Sequence, residues 1–140
     1  MTESIQPKPV LLKFEWRRTG MGGVSDTVLI SFRTNKPITS RLHRGNTHGV
    51  RTYAVYPAKY LLYNAERSNR GNVHITVKVV EVHADGNVTD LQTWTLYDGK
   101  EPTDAVYKLP NNIKQLLLAN ASELPLFDYV EEYLKGEAEE

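Results

Sequence analysis

Cysteine is absent from the 140 residues, which excludes disulfide staples, thiol nucleophiles and thiolate-ligated metal centres. Long apolar runs are absent too. The longest runs of branched aliphatic residues, VLL, VLI and LLL, are three residues each, against the roughly 20 apolar residues that a membrane-spanning helix needs. The opening segment MTESIQPKPV lacks the basic start and apolar stretch of a secretory leader. The expectation is therefore a soluble, cytoplasmic chain with no membrane partner. Net charge is missing as well, since 17 basic and 17 acidic residues cancel; a general duplex binder has a strongly basic domain. The glycines of TGMGG form neither Gly-x-Gly-x-x-Gly nor Gly-Lys-Ser/Thr, so no phosphate loop is expected.

The cancelled charge is unevenly spread. Residues 33–78 carry nine cations and one acid, Glu66, a net +8. Residues 79–140 carry thirteen acids and four lysines, a net −9. Such segregation suits an anionic partner for the basic half or a basic partner for the acidic half.

Residues 1–8 read as a flexible tail, 9–135 as one domain and 136–140 as an acidic tail. Alternation in VLLKFEWRR sets Val10, Leu12, Phe14 and Trp16 on one strand face, with Lys13, Glu15 and Arg17 on the other,. VSDTVLISFR repeats the pattern, and TGMGG between them reads as a hairpin loop. TNKPITSRLHRGNTHG, residues 34–49, reads as a long basic loop with a short strand at 38–42, and VRTYAVY as a third strand. PAKYLLYNAERSNRG suits a helix, with Pro57 in its first turn and Tyr56, Tyr60, Tyr63 and Arg67 on one face.

Asp85-Gly86 predicts a two-residue type I′ hairpin. Its register sets Val77 against Trp94, Ile75 against Leu96 and Val80 against Leu91. It also sets Glu81 against Asp90, and facing like charges favour a bulge at Val79-Val80. A short strand is expected at 105–109. PNNIKQLLLANA and SELPLFDYVEEYLKG read as two helices, the second capped by Ser122 and ended by Gly136. The predicted fold is α+β: an antiparallel sheet of four to five strands, one inserted helix, and two C-terminal helices packed on the sheet.

No catalytic constellation has motif spacing, so the chain reads as non-enzymatic. His43 and His48 lie five apart with no third ligand in place, which leaves no metal or cofactor to expect. Glu81, Asp90, Asp98, Glu101 and Asp104 read as solvated acids.

The basic block interleaves cations with aromatics, the two devices that hold single-stranded nucleic acid. Its candidate residues are Arg33, Lys36, Arg41, Arg44, Arg51, Tyr53, Tyr56, Lys59, Tyr60, Tyr63, Arg67 and Arg70. The functional expectation is a small regulator binding single-stranded nucleic acid through this segment. Set beside it is the plainer reading, in which these tyrosines pack on a sheet with their hydroxyls at the rim. A second reading is a virus- or plasmid-style regulator that docks its acidic half on a protein of a transcription or replication machine. Leu124, Leu126, Phe127 and Tyr129 would then be its apolar anchors. A third is a histidine-dependent nuclease built on His43, His48 or His74.

Overall fold

A computed structural model of the chain describes residues 8–18, 23–45 and 47–138, apart from the side chains of residues 43, 44 and 136–138. The residues of the expected N-terminal tail up to 7, and most of the glycine loop, lie outside that range.

Eight strands form the sheet: β1 (Val10–Arg18), β2 (Val24–Ser31), β3 (Ser40–Arg44), β4 (His48–Val55), β5 (Ala58–Arg67), β6 (Val73–Val82), β7 (Val88–Gly99) and β8 (Glu101–Pro102). Two helices follow, α1 (Asn111–Ala119) and α2 (Asp128–Ala138). All pairings are antiparallel, in the order β3-β4-β1-β2-β5-β6-β7-β8. This overturns the expected four to five strands and the inserted helix.

The correction centres on β5. Leu61, Tyr63 and Ala65 join the core beneath the helices, while Tyr60 and Leu62 join a second core against β1 and β4. A strand buried on both faces has no alternation to display, and its apolar run cannot be told from a buried helix by period. The helical spacing of Tyr56, Tyr60 and Tyr63 was fortuitous.

The sheet works as two layers. Among the described residues, β1 and β2 pair at Arg17–Ser25 and Arg18–Val24. From there β1 leaves with β4, in eight pairs from Val10–Val55 to Arg17–His48, while β2 leaves with β5. The wedge between them is filled by Leu12, Leu29, Tyr53, Val55, Tyr60, Val80 and Val82. Helices α1 and α2 cover the other face of the β5–β6–β7 layer through Ile113, Leu116, Leu117, Val130 and Leu134. Each buried aliphatic side chain contributes roughly 1.5–3 kcal/mol relative to exposure.

Several finer expectations also change. The loops after β5 and β6 close in the same way. Ser68 N–H donates to the Asn72 carbonyl at 2.8 Å, and His83 N–H to the Asn87 carbonyl at 2.8 Å. Gly71 (φ 89°) and Gly86 (φ 94°) take the left-handed position in each. Asp85 has no positive φ, so the turn is not type I′ but a longer loop ending in a glycine bulge.

The β6–β7 register keeps Val77 opposite Trp94. It shifts between Val79 and Val80, so Val80 faces Asp90 and Glu81 faces Thr89, and a second shift sets Ile75 against Tyr97. The first shift separates Glu81 from Asp90, which instead meets Lys78 at 3.1 Å. Residues Asp104–Tyr107 form a 3-10 turn rather than a strand. A 3-10 turn at Ala121–Glu123 and Leu126 at φ 57° delay α2 to Asp128, so Ser122 does not cap it, and it continues past Gly136 to Ala138.

Candidate nucleic-acid interface

The polar frame between the layers uses up one of the candidate cations. Arg51 on β4 points into the wedge, where its Nε donates to Asp26 Oδ1 at 2.7 Å and its Nη2 to Asp26 Oδ2 at 2.8 Å. Its Nη1 also donates to Ser40 Oγ at 3.3 Å. The Asp26 hydrogen bond is the main reason the guanidinium holds its proton above its ordinary value, against an opposing effect of burial. Asn64 donates to the Asp26 carbonyl and to Thr27 Oγ1 beside this pair.

Three of the four candidate tyrosines are also interior. Tyr53 is 2%, Tyr60 6% and Tyr63 0% exposed. Their hydroxyls donate to the carbonyls of Thr27 at 2.9 Å, Tyr56 at 2.6 Å and Pro125 at 2.7 Å. Burial pushes the Tyr53 hydroxyl up to about 12 and those of Tyr60 and Tyr63 upward. Phe14 meets Tyr53 edge-on, and Phe127 meets Tyr63 likewise. Rings in this state present no face to a base. Their place is the packed-on-sheet reading, with the strand alternation of β4 and β5 directing them inward.

Tyr56 is different, for a local reason. β4 and β5 do not pair with each other; the chain steps between layers through Tyr56 and Pro57. A residue before proline is held extended, and at this crossing Tyr56 is left 53% exposed. It borders a cleft of about 490 Å³ with Arg33, Ile38, Lys59 and Tyr60, within the roughly 300–1,000 Å³ range of small-molecule sites.

The turn after β2 sets Arg33 at the lip. Ser31 Oγ accepts from the N–H groups of Arg33 at 3.1 Å and Thr34 at 3.4 Å, and Asn35 adopts φ 61°. Buried Asn120, at the end of α1, donates to the Asn35 carbonyl at 3.1 Å and fixes that turn to the helical layer. Arg33 and Lys59 are exposed.

Ala54 borders both this cleft and a shallow groove across the outer face of β3, β4 and β1. Lys13, Thr52 and Arg41 stand in one row of that face, and Leu11 and Ala54 in the next. Strands lie about 4.8 Å apart, so Lys13 and Arg41 stand roughly 10 Å apart across Thr52. A path of cations runs from Lys59 and Arg33 over Ala54 to Arg41 and Lys13. Acids border it at both ends: Glu81 opposite Lys59 and exposed Glu15 one row beyond Lys13.

The other candidates stand elsewhere. Lys36 is exposed on the turn after β2. Arg67 and exposed Arg70 lie at the opposite end of the sheet. Arg44 belongs to β3, but its side chain is outside the described set. Lys13 was absent from the candidates because it precedes the basic block, yet the alternation of β1 already turned it outward.

Of the proposed protein-docking anchors, Leu124 and Phe127 are buried, and Leu126 and Tyr129 pack on the same core. Tyr129 lies edge-on to Tyr97. Among the described residues, no three His, Asp or Glu side chains gather as a metal site, and no helix is long and apolar enough to cross a membrane.

No protein-family model and no curated protein matches the chain. Among solved structures, it is similar to ORF157 from Acidianus filamentous Virus 1, with 17% identity and a TM-score of 0.48 over 62% of this chain. The chain spans 60% of the length of that viral protein. It is also similar to an engineered protein, with 13% identity and a TM-score of 0.49 over 90% of this chain and 74% of the other. Neither likeness bears on chemistry.

Proposed function

We propose that the chain binds single-stranded nucleic acid along the path from Lys59 and Arg33 to Arg41 and Lys13, with one base stacked on Tyr56. The observation that supports it is the single exposed tyrosine of the basic block, placed between Arg33 and Lys59 at the mouth of a cleft. Cations would hold consecutive phosphates and release counterions. The ring of Tyr56 offers a stacking face open to any base. Four cations and one ring describe a local groove, which agrees with a chain of zero net charge.

The test is anisotropy of labelled single-stranded and duplex oligonucleotides across a salt series. A stacked base is worth about 1–3 kcal/mol, so Tyr56→Ala should weaken single-strand binding roughly 5- to 150-fold. Arg33→Ala with Lys59→Ala should flatten the salt slope by about 1.4, at about 0.7 per phosphate on single strands. Undetectable binding of every oligonucleotide at about 50 mM salt, or unchanged binding by these variants, rejects the reading.

A further inference from the structure

At the end of the sheet far from Tyr56, the register aligns a row of polar residues. Arg17 faces Ser25, Ser25 faces Glu66, Glu66 faces His74, and His74 faces Asp98. Directly opposed residues on antiparallel strands share a sheet face, with Cβ atoms about 4.5–5.5 Å apart. The row therefore sets a carboxylate beside an imidazole on one side and a guanidinium two strands from the carboxylate on the other. Arg17, Ser25, Glu66, Arg67, Asn72 and His74 line a cleft of about 450 Å³ there. Its left wall is the β1–β2 junction, and its right wall is the glycine-bulge loop after β5. Glu66 is exposed and His74 is open to solvent over half its side chain. Asp98 Oδ1 lies 3.5 Å from His74 Nδ1, which leaves Nε2 as the nitrogen available to a substrate.

We propose that this cleft cleaves RNA by internal transfer of the phosphodiester to the 2′-hydroxyl. The Glu66 carboxylate takes the proton of the 2′-hydroxyl, and O2′ forms a bond to phosphorus. The P–O5′ bond breaks, and the His74 imidazolium gives its proton from Nε2 to the leaving O5′. The products are a 2′,3′-cyclic phosphate and a 5′-hydroxyl; no water, oxidant or further reactant enters. Glu66 ends protonated and His74 neutral, and exchange with solvent restores both.

Each residue type suits its step. Glu66 and His74 are directly opposed on adjacent strands and line one cleft, so a phosphate bound there has a base and an acid beside it. Arg17, in the same row as Glu66, offers the planar donor fork that matches phosphate oxygens, and it would act on the negative charge that grows as the fifth P–O bond forms. Asp98 stands on the Nδ1 side of the ring, 3.5 Å away. The proposal takes from the preceding section only that the partner is nucleic acid; it uses a separate cleft and separate residues.

The test is incubation of wild-type protein with an end-labelled single-stranded RNA, and with a DNA of the same sequence that carries one internal ribonucleotide. Expected are RNA fragments ending in 2′,3′-cyclic phosphate, a DNA chimera cut only after its ribonucleotide, and an all-deoxy strand left intact. Glu66→Gln and His74→Ala, purified in parallel, should each slow cleavage at least about 100-fold, the lower range for one general acid or base. Both should keep the wild-type melting temperature and the wild-type affinity for the all-deoxy strand. Absence of RNA cleavage, cleavage of the all-deoxy strand at a similar rate, or cleavage that survives both substitutions overturns the proposal. Affinity for the all-deoxy strand reports separately on the Tyr56 path, so the two readings fail independently.

Discussion

Tyr63→Phe separates the structural role of the interior tyrosines from the binding role of Tyr56. The Tyr63 ring is 0% exposed. Its hydroxyl donates to the Pro125 carbonyl at 2.7 Å, tying β5 to the segment that leads into α2. Its ring meets Phe127 at a centroid distance of 6.1 Å and 66°. Phenylalanine keeps the ring contact and deletes only the donor, stranding the Pro125 carbonyl. Loss of such a bond, with a half-buried acceptor left unpaired, costs about 1–2 kcal/mol. At a urea slope of about 1.5 kcal/mol per molar, the midpoint falls by roughly 1 M. Tyr63→Ala adds a cavity and costs about 3–5 kcal/mol. Unfolding is followed by fluorescence of Trp16 and Trp94, and oligonucleotide affinity is measured below the transition. Tyr63→Phe should lower the midpoint and leave affinity unchanged, whereas Tyr56→Ala should do the reverse, with stability within about 0.5 kcal/mol of wild type. A Tyr63→Phe protein with an unmoved midpoint and lost affinity would refute the argument, because it would put that ring on the surface.

The ion pair in the wedge gives a second expectation. Asp26→Asn leaves the Arg51 guanidinium facing a neutral amide. Full burial would make that cost about 3–5 kcal/mol, and with side chains 28% and 20% exposed solvent reduces it to about 2 kcal/mol. Calorimetry should show melting lowered by roughly 5–10 °C, largely recovered in Asp26→Leu with Arg51→Met. Tyr53 gives a third. Its hydroxyl, pushed up to about 12 mainly by burial, keeps its proton in the folded chain after the unfolded chain has lost it at about 10. Below pH ~10 it contributes no pH dependence; from there to pH ~12 stability falls, by about 2–3 kcal/mol in all. Urea midpoints measured up that range should fall less steeply in Tyr53→Phe, leaving the contributions of Tyr60 and Tyr63.

What could be read in the sequence followed from which strands have one wet face. β1 alternates because its outer side carries Lys13, Glu15 and Arg17, and the β6–β7 hairpin shows itself through Asp85-Gly86. β5 was unreadable because both its faces are dry. One local signal could have corrected it. SNRGN after β5 and HADGN after β6 share Gly-Asn at the same offset and close identically, so the first marks a hairpin as the second does. The eight-strand order depends on β4 reaching back to β1, a pairing that no local pattern encodes. The candidate site was legible as a composition, a basic block with tyrosines, but not as an arrangement. The inward turns of Tyr53, Tyr60 and Arg51 depend on the wedge between layers, and that of Tyr63 on the helices that cover the other face of β5. The exposure of Tyr56 also depends on the wedge, since it arises where the chain crosses it.

The long reach of β1 has a consequence for biosynthesis. Its partners lie between 31 and 45 residues further along, from Arg17–His48 to Val10–Val55. At about 5–20 residues per second, the nascent strand waits seconds for β4 with its apolar side bare. Non-local pairing of this kind slows folding into the millisecond-to-second range. Lys13, Glu15, Arg17 and Arg18 then serve as gatekeepers, deterring edge-to-edge association of newly made chains until the ribosome has delivered the missing neighbour.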